Sequence, residues 1–330
     1  MNFIPEAVNH YILQQFKNWM LPIAMIVGGV FYPFFSSLKF LTPYLIFLML
    51  LVPYCKLSYD RLRITRLHVL LILIQIFGSL GIYAALATFD PVLAQGTFIC
   101  ILAPTATSAA VITGMLGGSI STLATYTLVS NLTVAILAPF VFSLIGEHTS
   151  MPFLESFGII CRQMIPLLIF PLVTAMLLKR FVPKVHRELK SRQQISFYLW
   201  AVSLTIVMGN TVAFIVNQQN PNYRNEVFIA LCALIVCCLQ FLVGRRLGGH
   251  FHNKIAGAQG LGQKNTVLAI WMALTYLDPV ASIGPASYVI WQNTINSWQL
   301  WFKRHKEAHA AEQLSITDSS THTSIVDTKG

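Results

Sequence analysis

Long apolar stretches separated by short polar loops dominate the chain. A membrane-spanning helix needs about 20 mostly apolar residues. On that rule the pattern predicts ten spans, at Trp19–Ser37, Leu41–Leu57, His68–Ala87, Pro91–Met115, Ser119–Ile145, Gly158–Leu178, Gln194–Val216, Glu226–Val243, Ala256–Tyr276 and Val280–Phe302. The hydropathy pattern therefore predicts an all-α polytopic membrane protein.

Two of these spans carry polar or helix-breaking residues at membrane depth. The fourth contains the run Leu102–Ala109 with Pro104, and the ninth contains the run Gly260–Thr266. Pro104 cannot donate a backbone hydrogen bond, and Gly260 and Gly262 each weaken a helix by about 1 kcal/mol. Backbone groups freed within a bilayer must find partners or line a cavity. The simpler alternative for the fourth span is a proline kink whose hydroxyls bond back to their own helix.

The two interrupted spans hold the same position in two halves of the chain. A connecting loop at residues 146–157 separates residues 19–145 from residues 158–305, and each half has five predicted spans. An odd number of spans turns the second half upside down relative to the first. The sequence thus predicts an inverted five-plus-five repeat in which the fourth and ninth helices cross near the midplane. Residues 1–18 are predicted to lie along the membrane surface, and residues 306–330 to form a disordered tail.

The charges give this arrangement an orientation. Only 10% of the residues are charged, against about 25% in soluble domains. The cations cluster in the loops after the second, sixth, eighth and tenth spans, called the cationic loops below. Positive loops stay in the cytoplasm, which puts both termini there and explains the net charge of +10 without a nucleic-acid partner. The members of these clusters are Lys56, Arg61, Arg63, Arg66, Lys179, Arg180, Lys184, Arg187, Lys190, Arg192, Arg245, Arg246, Lys254, Lys303, Arg304 and Lys306.

A few polar features fall outside this pattern. Lys39 and Arg224 are isolated cations in the other loops, and Asn210 with Thr211 in the seventh span is interpreted as a pair of interhelical hydrogen-bonding residues. The six cysteines lack metal-ligand spacing with histidine. His250 and His252 form a His-x-His pair in a basic cytoplasmic loop, where the alternative to a solvated loop is a metal site; we predict neither metal nor cofactor. The short loops and the lack of a targeting peptide favour a bacterial inner membrane.

Lys264 is the most informative single residue. It lies in the interrupted part of the ninth span, and no acidic residue lies well inside any predicted span to pair with it. A charge at membrane depth is costly, and such residues mark substrate or ion paths. The alternative is that the side chain extends to the membrane surface.

Several motifs together resemble the bile acid:sodium symporter family over residues 19–305. They are the Pro-led polar stretch of the fourth span, the Gly-x-x-Asn run at Gly262–Asn265 and the Trp-Gln-Asn run at Trp291–Asn293. The resemblance implies a core domain of crossed helices packed against a panel domain, and transport by alternating access. It also implies an organic anion as substrate, either bile-acid-like or a small carboxylate, bound in a cavity between the two domains next to the helix crossing. Membrane lipids would surround the two domains.

The resemblance assigns substrate contacts by position to Thr107, Asn265, Gln292 and Asn293. Gln292 stands where bacterial members commonly have a histidine. A side-chain amide offers both a donor and an acceptor, so it can hold a carboxylate without carrying a charge.

The family's sodium ligands are largely missing. Its Ser-Asn pair is Ala109 and Ala110 in this chain, another serine position is Leu123, and its shared acidic residue and glutamine are Gly260 and Lys264. Methyl groups cannot coordinate a cation. The residues that remain as a candidate cation or coupling site are Lys264, Gln75, Thr127 and Gln263.

These substitutions support the hypothesis that Lys264 replaces a bound sodium ion, so that transport is sodium-independent. An ammonium about 4 Å from a second cation repels it by roughly 4 kcal/mol at an effective dielectric of about 20. Three alternatives remain. Lys264 exchanges a proton during transport, because burial disfavours a charged amine; it attracts the substrate's carboxylate or sulfonate directly; or a residual sodium site persists.

Other classes of protein fit less well. An arsenite permease would be expected to have a reactive cysteine in the fourth span, but Cys100 precedes Pro104 and has no electropositive neighbour. An intramembrane hydrolase would need a nucleophile and a base, and Ser108 with Lys264 is the only conceivable pair. A channel would need rings of charge or a repeated filter loop. We therefore predict that the protein is not an enzyme.

Overall fold

The computed structural model describes residues 20, 22–57, 62–146, 152–192, 194–218 and 221–326, without the side chains of residues 304 and 307–326. The predicted interfacial segment at residues 1–18 lies outside the described residues. Within these ranges the regular structure is helical. The helices are α1 (residues 22–30), α2 (Tyr32–Ser37), α3 (Thr42–Lys56), α4 (Arg66–Ala87), α5 (Pro91–Leu102), α6 (Ala109–Met115), α7 (Ile120–Ile145), α8 (Phe153–Phe181), α9 (Pro183–Ser191), α10 (Gln194–Val216), α11 (Tyr223–His250), α12 (Lys254–Gly262), α13 (Thr266–Tyr276) and α14 (Ile283–Val326), with 3-10 turns at Lys39–Leu41 and Pro279–Ser282.

Length and composition confirm an all-α polytopic membrane protein. Six helices of the described part are long and apolar enough to cross a membrane, and α5 and α13 are shorter apolar helices. The six are Lys39–Lys56, Arg66–Ala87, Ile120–Ile145, Phe153–Phe181, Gln194–Val216 and Tyr223–His250.

Both of the predicted interruptions are present as breaks between short helices. The fourth predicted span is divided into α5 and α6, and the ninth into α12 and α13. Ala103 leaves the helical region, with φ −44° and ψ 137°, because the ring of Pro104 disfavours helical geometry in the residue before it. Gln263 leaves it after Gly262, with φ −97° and ψ 100°.

The last helix is longer than the sequence pattern suggested. Residues 306–326, predicted to be disordered, continue α14 to Val326, and α8 begins at Phe153, inside the predicted connecting loop. Extending an existing helix avoids the unfavourable nucleation step. The residues just after Lys306 are largely Ala, Glu, Gln and Leu, which are strong helix formers. These two properties together account for the continuation beyond the predicted membrane boundary.

A contact between glycines positions the second interrupted helix. Gly244 and Gly248 of α11, spaced as in the Gly-x-x-x-Gly motif, face Gly257 of α12. A Cβ on Gly244 or on Gly257 would collide with the carbonyl oxygen of the other. Small residues allow such close backbone approach between helices in membranes. The contact fixes α12, and therefore the start of the second break, against α11.

Candidate functional site at the helix crossing

The two breaks bind each other through their backbones. The Ala106 N–H donates to the Gln263 carbonyl at 3.0 Å, and the Asn265 N–H donates to the Pro104 carbonyl at 2.8 Å. Thr105 and Lys264 therefore lie opposite each other as an isolated antiparallel bridge. Each break thus supplies partners for the backbone groups that the other frees within the bilayer.

Side chains reinforce this pairing in a reciprocal way. The Thr105 hydroxyl donates to the carbonyl oxygen of Gly260, one helical turn before Lys264, at 2.6 Å. The Lys264 Nζ donates to the carbonyl oxygen of Ile101, one helical turn before Thr105, at 2.8 Å. Each residue of the bridge therefore caps the carboxyl end of the helix that precedes the other residue.

The end of α5 is fully capped. The carbonyls of a helix's last turn have no intrahelical partners and carry partial negative charge. In α5 each of them accepts a hydrogen bond, and Lys264 is the charged donor among these partners. The donors are the Ala103 N–H to Ile99 O (3.0 Å), Gln240 Nε2 to Cys100 O (3.2 Å), Lys264 Nζ to Ile101 O (2.8 Å) and Gln75 Nε2 to Leu102 O (2.7 Å).

Lys264 is enclosed. It is 1% exposed, so it does not extend to the membrane surface, and no carboxylate of the described residues forms an ion pair with it. Ser108, the candidate nucleophile, accepts a hydrogen bond from Gln263 at 3.3 Å, whereas the ammonium donates to Ile101. The described hydrogen bonds thus contain no Ser108–Lys264 pair that would support hydrolysis.

Gln75 connects three helices at this site. Its Nε2 donates to the carbonyls of Leu102 and Ala103 at 2.7 and 3.1 Å, and its Oε1 accepts from Tyr126 and Ser130 at 2.9 and 3.0 Å. These four bonds occupy both ends of the amide. Gln75 therefore caps α5 and is not an uncommitted ligand for a cation.

The other expected cation positions are largely apolar. Ala109 and Leu123 are fully buried and pack in one apolar cluster with Tyr126 and Leu261. The Thr127 hydroxyl and the Gln263 Oε1 are buried without a hydrogen-bond partner. The oxygens that remain are therefore few and uncharged.

The structure brings two of the four expected substrate residues against Lys264. Gln292 Oε1 accepts from the Lys264 N–H at 2.8 Å, and its Nε2 donates to the Lys264 carbonyl at 3.3 Å. The adjacent Asn265 uses its Oδ1 to cap the first turn of α13, at 3.3 Å. Asn293 donates to a carbonyl of its own helix at 2.7 Å. Thr107 is half-buried in the first break.

Two residues of this site were not predicted from the sequence. The Tyr288 hydroxyl donates to the Gly262 carbonyl at 2.8 Å and accepts from Gln240 Nε2 at 3.0 Å, and Gln240 also donates to Cys100 O. The pair thus links the carboxyl ends of α5 and α12. A lone glutamine in an apolar eighth span was the available signal for Gln240, whereas Tyr288 has no distinguishing pattern.

A comparison with known protein families finds a match for this chain. The Sodium Bile acid symporter family matches residues 43–220 of the 330, a region that includes Gln75, the first break and Thr127. A search of curated proteins finds no match. Lys264, Asn265, Gln292 and Asn293 lie beyond the matched residues, so their roles depend on the geometry described above. The match covers more than half of the chain, and the protein therefore belongs to the Sodium Bile acid symporter family, whose members are transporters and not enzymes.

Proposed function

We propose that this protein transports an organic anion, bile-acid-like or a small carboxylate, without sodium, with the Lys264 ammonium in place of a bound cation. Family membership supports secondary transport. The observation that carries the sodium-independent part is the 2.8 Å bond from the Nζ of the buried Lys264 to the carbonyl oxygen of Ile101.

Electrostatics favour a resident ammonium at this place. The carboxyl end of a helix carries about half a negative charge, and Lys264 supplies a positive charge to the end of α5. A second cation about 4 Å away would be repelled by roughly 4 kcal/mol at an effective dielectric of about 20. A sodium ion would also find few side-chain ligands, because Gln75 is fully hydrogen-bonded, the side chains of Ala109 and Leu123 offer only carbon, and the oxygens of Thr127 and Gln263 are uncharged.

We further propose that Thr107, Asn265, Gln292 and Asn293 contact the substrate, next to Lys264. In the conformation described, Gln292 holds both backbone groups of Lys264. A substrate that takes over a hydrogen bond of Gln292 would therefore loosen the peptide that carries the ammonium. This arrangement provides a physical connection between the anion site and the crossing.

The packing supports an inverted repeat divided into two domains. Helices α2, α3, α8, α9 and α10 pack on one another and form the proposed panel, joined by α1, which lies against α10 at Gly28. Helices α4–α7 and α11–α14 form the proposed core, and α7 and α13 pack across the boundary on α8 and α10. The reciprocal capping by Thr105 and Lys264 is the relation that a two-fold axis between the repeats would produce.

The proposed panel and core are hydrogen-bonded on the far face, meaning the helix ends opposite the cationic loops. There the Tyr276 hydroxyl of α13 donates to Gln163 Oε1 of α8 at 2.9 Å, and Ser282 Oγ donates to Thr211 Oγ1 of α10 at 3.3 Å. Tyr276 also stacks on Phe142, with ring centroids 5.6 Å apart. These contacts support a conformation that is closed on the far face, as alternating access requires of one of its states.

The Tyr276–Gln163 bond should help to set the balance between the two states. We expect Tyr276→Phe to increase the population that is open on the far face about fivefold, because a hydrogen bond contributes about 1 kcal/mol. Spin labels at the exposed positions Phe40 and Phe89, on panel and core, would report this as a larger fraction of long distances. Thr275→Val is the matched control, since Thr275 bonds a carbonyl of its own helix. Identical distance distributions for Tyr276→Phe and wild type would contradict this role.

Sodium independence has a direct test. We expect the purified protein to unfold at the same temperature in sodium, potassium and choline chloride at equal ionic strength, because a ligand raises stability only if it binds the folded state. In liposomes, labelled cholate should exchange without sodium. A sodium-specific rise in unfolding temperature would contradict the proposal and indicate a residual sodium site.

A second candidate is proton coupling through the same residue. It is favoured by the surroundings of Lys264, which faces a neutral carbonyl and no carboxylate of the described residues. Wild-type transport whose rate changes between about pH 5 and pH 9 would support this coupling. A rate that is constant over this range would contradict it and leave Lys264 as a resident cation.

A further inference from the structure

An open cavity of about 500 Å³, lined by both polar and apolar groups, lies on the far face, away from the helix crossing. It lies between the end of α2 with the following turn and the carboxyl end of α10. Lys39, Asn210, Asn217, Gln218 and two serine hydroxyls of α2 line it. Lys39 is one of the isolated cations of the sequence. Asn210, expected to bond a neighbouring helix, lines this cavity instead.

The lining has the chemistry of an anion site. Among the described residues it contains one cation, three amides and two hydroxyls but no carboxylate, and Phe214 supplies an apolar wall. Both hydroxyls donate to carbonyls of α2, and Gln218 Nε2 donates to the carboxylate of Glu226 at 3.1 Å. The donors that face an anion are therefore Lys39, Asn210 and Asn217. Cavities of about 300–1,000 Å³ accommodate small ligands. A carboxylate or sulfonate on an apolar body fits both the polar groups and Phe214.

The cavity also adjoins the contact that closes the far face. Asn210 precedes Thr211, whose hydroxyl accepts from Ser282 of the proposed core at 3.3 Å. A ligand held by Asn210 would therefore sit beside the point where panel and core separate when the far face opens.

We propose that this cavity is an outer subsite for the organic anion, in which Lys39 and Asn210 hold the acidic group before it reaches the crossing. The inference rests on the proposed function for its choice of ligand. Its residues are separate from Thr107, Asn265, Gln292 and Asn293, so the two sites can be tested independently.

Equilibrium binding of labelled cholate to the full-length protein in zwitterionic lipid discs tests the subsite. We expect two classes of site in wild type and one in Asn293→Ala. When Lys39→Gln and Asn210→Leu are added to Asn293→Ala, the affinity of the remaining class of site for cholate should fall about tenfold or more. A loss of this size follows from removing a charge-assisted hydrogen bond. Arg224→Gln is the matched control, because it removes an isolated cation of the other loops that does not line the cavity; it should change binding less than about twofold.

Three results would overturn the subsite. They are unchanged binding after Lys39→Gln with Asn210→Leu, an equal loss after Arg224→Gln, and displacement of cholate by added phosphatidylglycerol, which would make the cavity a lipid headgroup site. If Asn293→Ala left binding unchanged while Lys39→Gln with Asn210→Leu removed it, the outer subsite would stand. The crossing would then fail as a substrate site.

Discussion

Lys264→Ala is expected to abolish transport and to destabilise the protein by about 3 kcal/mol or more. Two effects contribute to this loss of stability. The substitution leaves the half-buried Ile101 carbonyl without its donor, and an unsatisfied group away from water costs roughly 1–3 kcal/mol. It also leaves a cavity where a fully buried side chain stood, and large-to-small changes in cores cost roughly 2–5 kcal/mol. Thermal unfolding in detergent and exchange of labelled cholate in liposomes would measure both consequences.

Two further variants separate charge from volume. Lys264→Met fills the space without a donor, so it should retain part of the stability and none of the cation's role. Lys303→Ala removes another lysine that donates to a helix-end carbonyl, that of Met115, but at an exposed position; it should cost much less. Wild-type stability and transport in both Lys264 variants would refute the resident-cation hypothesis.

Gly257→Val is expected to prevent folding or to destabilise the protein by about 3 kcal/mol or more, beyond ordinary overpacking. A Cβ at Gly257 would collide with the carbonyl of Gly244 and lie 2.9 Å from the Cα of Gly248. Backbone atoms cannot rotate aside as a side chain can, so α12 would have to move away from α11. That movement would displace Gly260 and Lys264, and transport would be lost even in protein that reached the membrane.

Gly249→Ala provides the comparison. Gly249 lies in α11, the helix that Gly257 of α12 approaches, but a Cβ there would meet only Lys254 Cγ at 3.7 Å, an ordinary contact. Alanine is the better helix former by about 1 kcal/mol, so this variant should be neutral or slightly more stable. Monodisperse yield and unfolding temperature would compare the two. Equal behaviour of Gly257→Val and Gly249→Ala would show that the close approach is not required.

The breaks could be predicted from the sequence, whereas the partners of the freed groups could not. Pro104, Gly260 and Gly262 act locally, so their effect on a helix is visible without knowledge of the fold. The partners depend on how each helix is rotated about its axis, which apolar helices of low amphipathicity do not reveal. Gln292, which the resemblance assigns to the substrate, also holds the Lys264 peptide. Gln75, a candidate cation ligand, also caps α5.

The extent of the last helix shows a different limit. Composition after residue 305 suggested disorder, but α14 continues to Val326. Composition describes what a segment does by itself, and this segment begins at the end of a helix that is already formed. Asn210 is a similar case, because a single amide in a span is compatible with helix packing and with a cavity wall.

The reciprocal bonds of Thr105 and Lys264 also bear on how the protein is made. They join residues 155 and 163 positions apart in the chain. The first interrupted helix therefore enters the bilayer with Gln75 already present, but long before Lys264 has been synthesised. Until then the Ile101 carbonyl must be shielded by water or the insertion machinery, since lipid offers it no partner. Biogenesis of this transporter consequently includes an intermediate in which the first break lacks the hydrogen-bond partners of the ninth helix, and this intermediate persists until the ninth helix inserts. A chain truncated before Lys264 would remain as this intermediate.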